Sequence, residues 1–120
     1  PSHVAWVHKS SFASVGTEDV PLIIEDTPSG VLVSRWIKDI EPPPYYADML
    51  PFNGKVDRLQ HYEASMPSIA INMGTYVPAG LGGDNADLPK DAYRMRSYHF
   101  ITPIDAHSSR YHWFQHYNTN

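Results

Sequence analysis

Alternation of apolar and polar positions dominates the second half of this chain. Across residues 93–102, Tyr93, Met95, Ser97, His99 and Ile101 fall on one side of an extended backbone, and Arg94, Arg96, Tyr98, Phe100 and Thr102 on the other. A turn at Thr102-Pro103-Ile104-Asp105-Ala106-His107 follows. The pattern then resumes over 108–117, with Tyr111, Trp113, Gln115 and Tyr117 set against Arg110, His112, Phe114 and His116. A period of two over such lengths predicts a pair of strands. Further upstream, the β-rich runs 21–26 and 31–36 flank Thr27-Pro28-Ser29-Gly30 and predict a hairpin. Glu41-Pro42-Pro43-Pro44-Tyr45-Tyr46 breaks regular structure, because proline fixes φ and lacks a donor; residues 40–54 are then a loop with room for one helical turn. Residues 55–63 and 68–77 read as two further strands parted by Pro67, and 79–85 as a glycine-rich turn. Strands in sequence with short connections predict an antiparallel meander of about six strands. The opening, 2–12, reads as a short helix or turn-rich segment on which Val4, Val7 and His8 share a face. One helix in front and none behind leaves a sheet face without a partner layer, so the α+β fold is expected to be incomplete.

Composition narrows the function. At 120 residues the chain is one ordinary domain at most, and residues 1–120 are read as a single partial domain. A net charge of -4, with Lys and Arg scattered, argues against a nucleic-acid partner, which asks for a basic stripe. No stretch reaches the roughly 18 apolar residues of a membrane span, and no signal peptide is visible, so no membrane partner and a cytoplasmic location are expected. The glycines of 79–85 are followed by no Gly-Lys-Ser/Thr, so they are not a phosphate loop. Zero Cys excludes disulfides and a thiolate-held iron–sulfur cluster within this chain. The 8 Tyr, 3 Trp, 4 Phe and 7 His suit a cavity with apolar walls and a few polar handles, or more plainly an aromatic-rich sheet.

The candidate chemistry lies at the front, in Pro1-Ser2-His3-Val4-Ala5-Trp6-Val7-His8. Imidazole suits iron, zinc, copper and nickel, and two His with one carboxylate form the open triad of non-haem Fe(II) oxygenases. Five residues along a regular helix separate two side chains by about 140°. His3 and His8 therefore share a metal only if the helix bulges or ends between them. The plain alternative is a terminal His and a surface His.

Context strengthens the metal reading. Residues 1–12, Pro-Ser-His-Val-Ala-Trp-Val-His-Lys-Ser-Ser-Phe, resemble the iron-ligand segment of Rieske non-haem iron oxygenase α subunits, Asn-x2-Asp-x2-His-x4-His, with His3 and His8 on the two ligand positions. Ser34-Arg35-Trp36, Pro42-Pro43-Pro44-Tyr45, Val56-Asp57-Arg58-Leu59-Gln60 and His99-Phe100-Ile101-Thr102-Pro103 are similar to the vanillate O-demethylase, phthalate and dicamba oxygenase branch. The resemblance spans essentially the whole chain. It implies a helix-grip (START/Bet v 1-like) domain, in which a curved antiparallel sheet wraps a C-terminal helix around an aromatic-substrate cavity. The covering helix, and with it the third iron ligand, an Asp, is expected beyond Asn120. The bridging Asp is expected just before Pro1, and the Cys/His ligands of the [2Fe-2S] Rieske cluster in an upstream domain. These 120 residues alone are thus expected not to turn over.

The resemblance also implies a mechanism for the parent protein. Fe(II) at the mononuclear site, fed electrons by a reductase or ferredoxin through the cluster of a neighbouring subunit in a homotrimer, uses O₂ to hydroxylate or O-demethylate an aromatic acid or phenol. This domain positions the substrate. Asn72, His99 and Trp113 are the expected substrate-binding residues, with Gln60 and His112 behind them: amide and imidazole grip a carboxylate or phenol, and the indole stacks on its ring. Arg35, Arg58, Arg94 and Arg96 are expected on a solvated face or in cross-strand ion pairs, although an Arg directed inward would bind an acidic arene bidentately. His107 and His116 are expected to be exposed. The rival from another class is a helix-grip carrier of a small apolar or aromatic ligand, which needs no His-x4-His. A structural zinc site ranks lower, since such sites are usually Cys-rich.

Overall fold

The structure is a computed structural model that describes residues 7–8, 10–13 and 17–118. Its frame is one six-stranded antiparallel sheet in the order β1-β2-β3-β4-β5-β6, with β1 at Ile23–Thr27, β2 at Gly30–Ile40, β3 at Val56–Ser65, β4 at Ile69–Pro78, β5 at Tyr93–Pro103 and β6 at Ser109–Tyr117. The meander expected from alternation is observed. β2 extends further than the sequence pattern marked, to Ile40 instead of Trp36, whereas β1 and β6 begin later, at Ile23 and Ser109. The expected opening helix falls mostly on residues outside the described set. In its described remainder, the amides of Ser11, Phe12 and Ala13 all donate to the His8 carbonyl, at 3.0, 2.9 and 3.0 Å, and close a tight turn.

Local chemistry explains the joints. Gly30 opens β2 where the neighbouring backbone crowds in: a Cβ there would sit 1.9 Å from the Ala64 carbonyl oxygen, so only glycine fits. Near the far end of β2 the register slips, with Ile37 opposite Arg58 and Ile40 opposite Val56, so Lys38 and Asp39 together face Asp57. Asp39 takes a positive φ of 51°, and its N–H donates to Asp57 Oδ1 at 2.9 Å. The proline run gives one helical turn, α1, at Pro44–Ala47, with Pro44 in the first turn, where a missing N–H costs nothing.

Alternation sorts the sheet into two faces. Register places Arg35, Arg58, Gln60, Tyr62, Asn72, Gly74, Tyr76, Tyr93, Met95, Ser97, His99, Trp113 and Gln115 on one of them. The core lies on that face: Tyr46 from α1 packs with Val56, Tyr76, Tyr93 and Met95, flanked by Phe12, Ile40, Leu50 and Phe52. β6 is the open edge. Tyr111, Trp113, Phe114 and Tyr117 are each more than half exposed there, so both faces of this strand lack cover within the described chain. Among the described residues no helix is long and apolar enough to cross a membrane.

Candidate active site

Along the middle of the same face lies a hollow of about 490 Å³, the size of a small-molecule site. Its floor comes from four strands: Arg58 and Tyr62 of β3, Asn72 and Gly74 of β4, Met95, Ser97 and His99 of β5, and Trp113 and Gln115 of β6. His8, Phe12 and Tyr46 wall it from the loops. Gly74 contributes by lacking a side chain, since a Cβ there would press on the Tyr76 ring at 3.1 Å.

The polar handles are organised around His99. Asn72 Nδ2 lies 3.2 Å from His99 Nε2, and the Tyr111 hydroxyl makes a hydrogen bond with His99 Nδ1. The two rings stack with centroids 5.9 Å apart. With the amide nitrogen donating, Nε2 accepts and the ring hydrogen sits on Nδ1, facing Tyr111. Asn72, His99 and Trp113, the expected substrate-binding residues, all line this one hollow. Gln60 points to the same face yet sits below the hollow's surface, 1% exposed, accepting at Oε1 from Arg35 Nε at 2.7 Å. His112 requires a correction: it stands opposite Phe100 on the outer face, because adjacent strand residues point to opposite sides and Trp113 takes the inner one.

Two arginines also depart from expectation. Arg35 and Arg58, expected on a solvated face or in ion pairs, are each only 5% exposed and lie on the inner face. Neither takes part in the two described ion pairs, Lys38–Asp57 and Lys55–Asp39. Arg35 spends its donors on Gln60 and on the Val20 carbonyl at 3.2 Å, and burial pulls its guanidinium below the ordinary value. Arg58 donates from Nη1 to the Phe12 carbonyl at 2.7 Å and lies over the rings of Tyr46 and Tyr76. Burial pushes the phenols beside it up: Tyr46 to about 12, Tyr62 and Tyr76 also above their ordinary value. They therefore stay neutral at ordinary pH. Arg94 and Arg96 are exposed on the outer face, and His107 and His116 are exposed as expected. Parity along β3 carried the signal for Arg58; without a label for the inner face it could not be used.

The metal-ligand expectation is divided by the described residues. His8 lines the hollow, its ring set edge-on against Phe12 at 5.5 Å. His3 lies outside the described residues. Among the described residues no group of three His, Cys, Asp or Glu could hold a metal ion. His8 suits Fe(II) as one nitrogen ligand, and the residues in view supply one donor of a set rather than a complete site.

The chain thus presents a six-stranded antiparallel sheet bearing an aromatic-walled hollow with an imidazole on its rim, and its relatives are oxygenase subunits. The whole chain, residues 1–120, matches the vanillate O-demethylase oxygenase C-terminal domain, and the chain belongs to that family. Relatives include the toluene-4-sulfonate monooxygenase system iron-sulfur subunit TsaM1 of Comamonas testosteroni and its putative counterpart TsaM2, each 27% identical over 117 residues. That match covers 94% of this chain and 33% of either relative, so the chain spans about a third of their length. Among solved structures, dicamba monooxygenase bound to 3,6-dichlorosalicylic acid shares the fold with a TM-score of 0.76 at 19% identity, over 96% of this chain and 32% of that one. The dicamba complex of the same enzyme gives 0.72 at 17% identity, over 97% and 31%. The likeness to Rieske non-haem iron oxygenases read from the sequence therefore holds.

Proposed function

We propose that this chain forms the substrate pocket and part of the iron site of a Rieske-type oxygenase acting on an aromatic acid or phenol, by hydroxylation or O-demethylation. One observation carries the reading: the Asn72–His99 pair and the Trp113 ring share an arene-sized hollow with the His8 imidazole. The aromatic walls offer an apolar ring its contact surface, and the amide, held by the imidazole, orients the ring by its acidic or phenolic group. His8, with His3 and a carboxylate beyond this chain, would hold Fe(II), whose chemistry when bound is O₂ activation. The relatives' names support the assignment: one is a monooxygenase of dicamba, the others are iron-sulfur subunits of a toluene-4-sulfonate system. On this reading the sheet is the helix-grip of its family, and the uncovered inner face around β6 receives a C-terminal helix. Electrons come from a reductase or ferredoxin through a [2Fe-2S] cluster in another domain, within a homotrimer.

The experiment measures ferrous iron bound by the intact protein and by its His3→Ala and His8→Ala variants. Both variants should lose tight iron binding while keeping the fold. Unchanged iron content in both defeats the assignment and turns the hollow into the pocket of a carrier.

A further inference from the structure

A single buried cation ties the floor of the hollow to the segment that carries His8. Arg58 stands on β3 between Ile37 and Tyr76 in register, 5% exposed. Its Nη1 donates to the Phe12 carbonyl at 2.7 Å. Its guanidinium carbon lies 5.8 Å from the Tyr46 ring centre and 5.4 Å from that of Tyr76, and those rings pack 4.8 Å apart. The Phe12 amide in turn donates to the His8 carbonyl, and the Phe12 ring meets the His8 ring edge-on. One hydrogen bond and one tight turn thus connect the guanidinium to the imidazole.

A buried guanidinium outside the ion pairs found among the described residues is an expensive way to fill space. An apolar side chain would fill this volume at lower cost. What an apolar residue cannot do is hold a carbonyl from beneath while lying flat on two phenol rings. A lysine ammonium, a point donor on a flexible stem, cannot do both either.

We propose that Arg58 is a positioning residue for His8: by fixing the Phe12 carbonyl it sets where the imidazole stands over the hollow. This rests on the reading of His8 as an iron ligand. Groups that orient metal ligands typically change metal affinity by about 10- to 100-fold when removed.

The test uses the intact protein and its Arg58→Lys, Arg58→Gln and His8→Ala variants. Ferrous iron affinity is measured by competition with a chelator, and backbone amide exchange by mass spectrometry. Arg58→Lys and Arg58→Gln should weaken iron binding about tenfold or more, and speed exchange in the peptide over residues 8–13 while β3 and β4 stay protected. Arg58→Gln removes a buried charge but also the donor to the Phe12 carbonyl, so denaturant unfolding is measured beside iron affinity in each variant. A variant as stable as the parent yet weaker for iron is an outcome that a merely structural arginine does not give. Iron affinity within about twofold of the parent in both Arg58 variants, or faster exchange spread over the whole sheet, overturns the proposal. If His8→Ala itself keeps its iron, the iron reading and this inference fall together; if only His8→Ala loses iron, the inference alone fails.

Discussion

Asn72 of β4 and His99 of β5 touch across the sheet, Nδ2 to Nε2 at 3.2 Å, although register pairs Asn72 with Ser97 and His99 with Ala70. They are diagonal neighbours on one face, a separation that long side chains span. The contact presents an amide and an imidazole side by side in the hollow. Hydrogen bonds to a charged group contribute about 1.5–3 kcal/mol each. Asn72→Ala should therefore weaken binding of an aromatic carboxylate about tenfold or more, and leave a neutral arene of the same shape nearly unaffected, while His99, whose ring nitrogens meet Asn72 and Tyr111, orients the amide. Calorimetric titration with such a pair of ligands checks this. Equal losses for both would mean that Asn72 shapes the hollow without gripping the acid.

Asn72 sets which nitrogen of His99 carries the hydrogen. The amide nitrogen only donates, so Nε2 accepts, and Nδ1–H faces the Tyr111 hydroxyl, which serves either role. Imidazole ¹⁵N resonances should show one tautomer in the parent and in Tyr111→Phe, and a mixture in Asn72→Ala. A mixture already present in Tyr111→Phe would show that the hydroxyl shares in setting it.

Asp57 anchors the opposite face. Burial pushes its carboxyl up, but donors outweigh burial: the N–H groups of Asp39, Gly82 and Gly80 and the Lys38 ammonium hold it below the ordinary value. A depressed carboxyl stabilises the fold above its ordinary value of 3.8, and that stability drains away as pH falls through the lower folded value. Acid unfolding should therefore set in below about pH 4 and be less steep in Asp57→Asn. At neutral pH the substitution confronts donors with an amide group and should cost about 1–3 kcal/mol in denaturant unfolding. An unchanged midpoint would show the carboxylate to be dispensable.

The sheet was legible in the sequence because a half-buried strand writes its period directly: residues 93–102 and 108–117 named their partners and their faces. What alternation cannot say is which face is inner, and so Arg35 and Arg58 are expected on a solvated face or in ion pairs; His112, by contrast, is already parted from Trp113 by parity, and placing both at the hollow goes against the pattern. The inner side is decided by tertiary placement of the Pro42–Pro44 turn, which lays Tyr46 on Tyr76. The role of Asp57 was equally hidden. Its donors come from Asp39, Gly80 and Gly82, brought together by a bulge and a loop that no local pattern announces. Of the candidate site, parity gives His99 and Trp113 a face on each strand, whereas the Arg58–Phe12 contact beneath His8 has no local signal.

Gly82 shows how closely that loop is seated. A Cβ there would lie 2.4 Å from the Trp36 ring and 2.7 Å from the Asp57 Cβ. Gly82→Ala should lift the loop from the sheet and cost about 1–3 kcal/mol, read as a lower unfolding midpoint and loss of the ordered Trp36 fluorescence environment. A variant as stable as the parent would mean that the indole swings aside freely.

The phenols of the inner face should govern behaviour in alkali. Burial raises Tyr46 to about 12 and lifts Tyr62, Tyr76 and Tyr93 above the ordinary 10.0. In the unfolded chain these groups ionise near 10, whereas in the folded chain they keep their protons longer. Between about pH 10 and 12 the native state binds more protons than the unfolded state, so stability falls across that window. Phenolate absorbance should rise in two stages, the later one coinciding with loss of β-sheet circular dichroism. Tyr46→Phe removes one buried ionisable group, so unfolding should shift to higher pH. All 8 tyrosines titrating together near 10, with the sheet intact, would show that these rings are open to solvent.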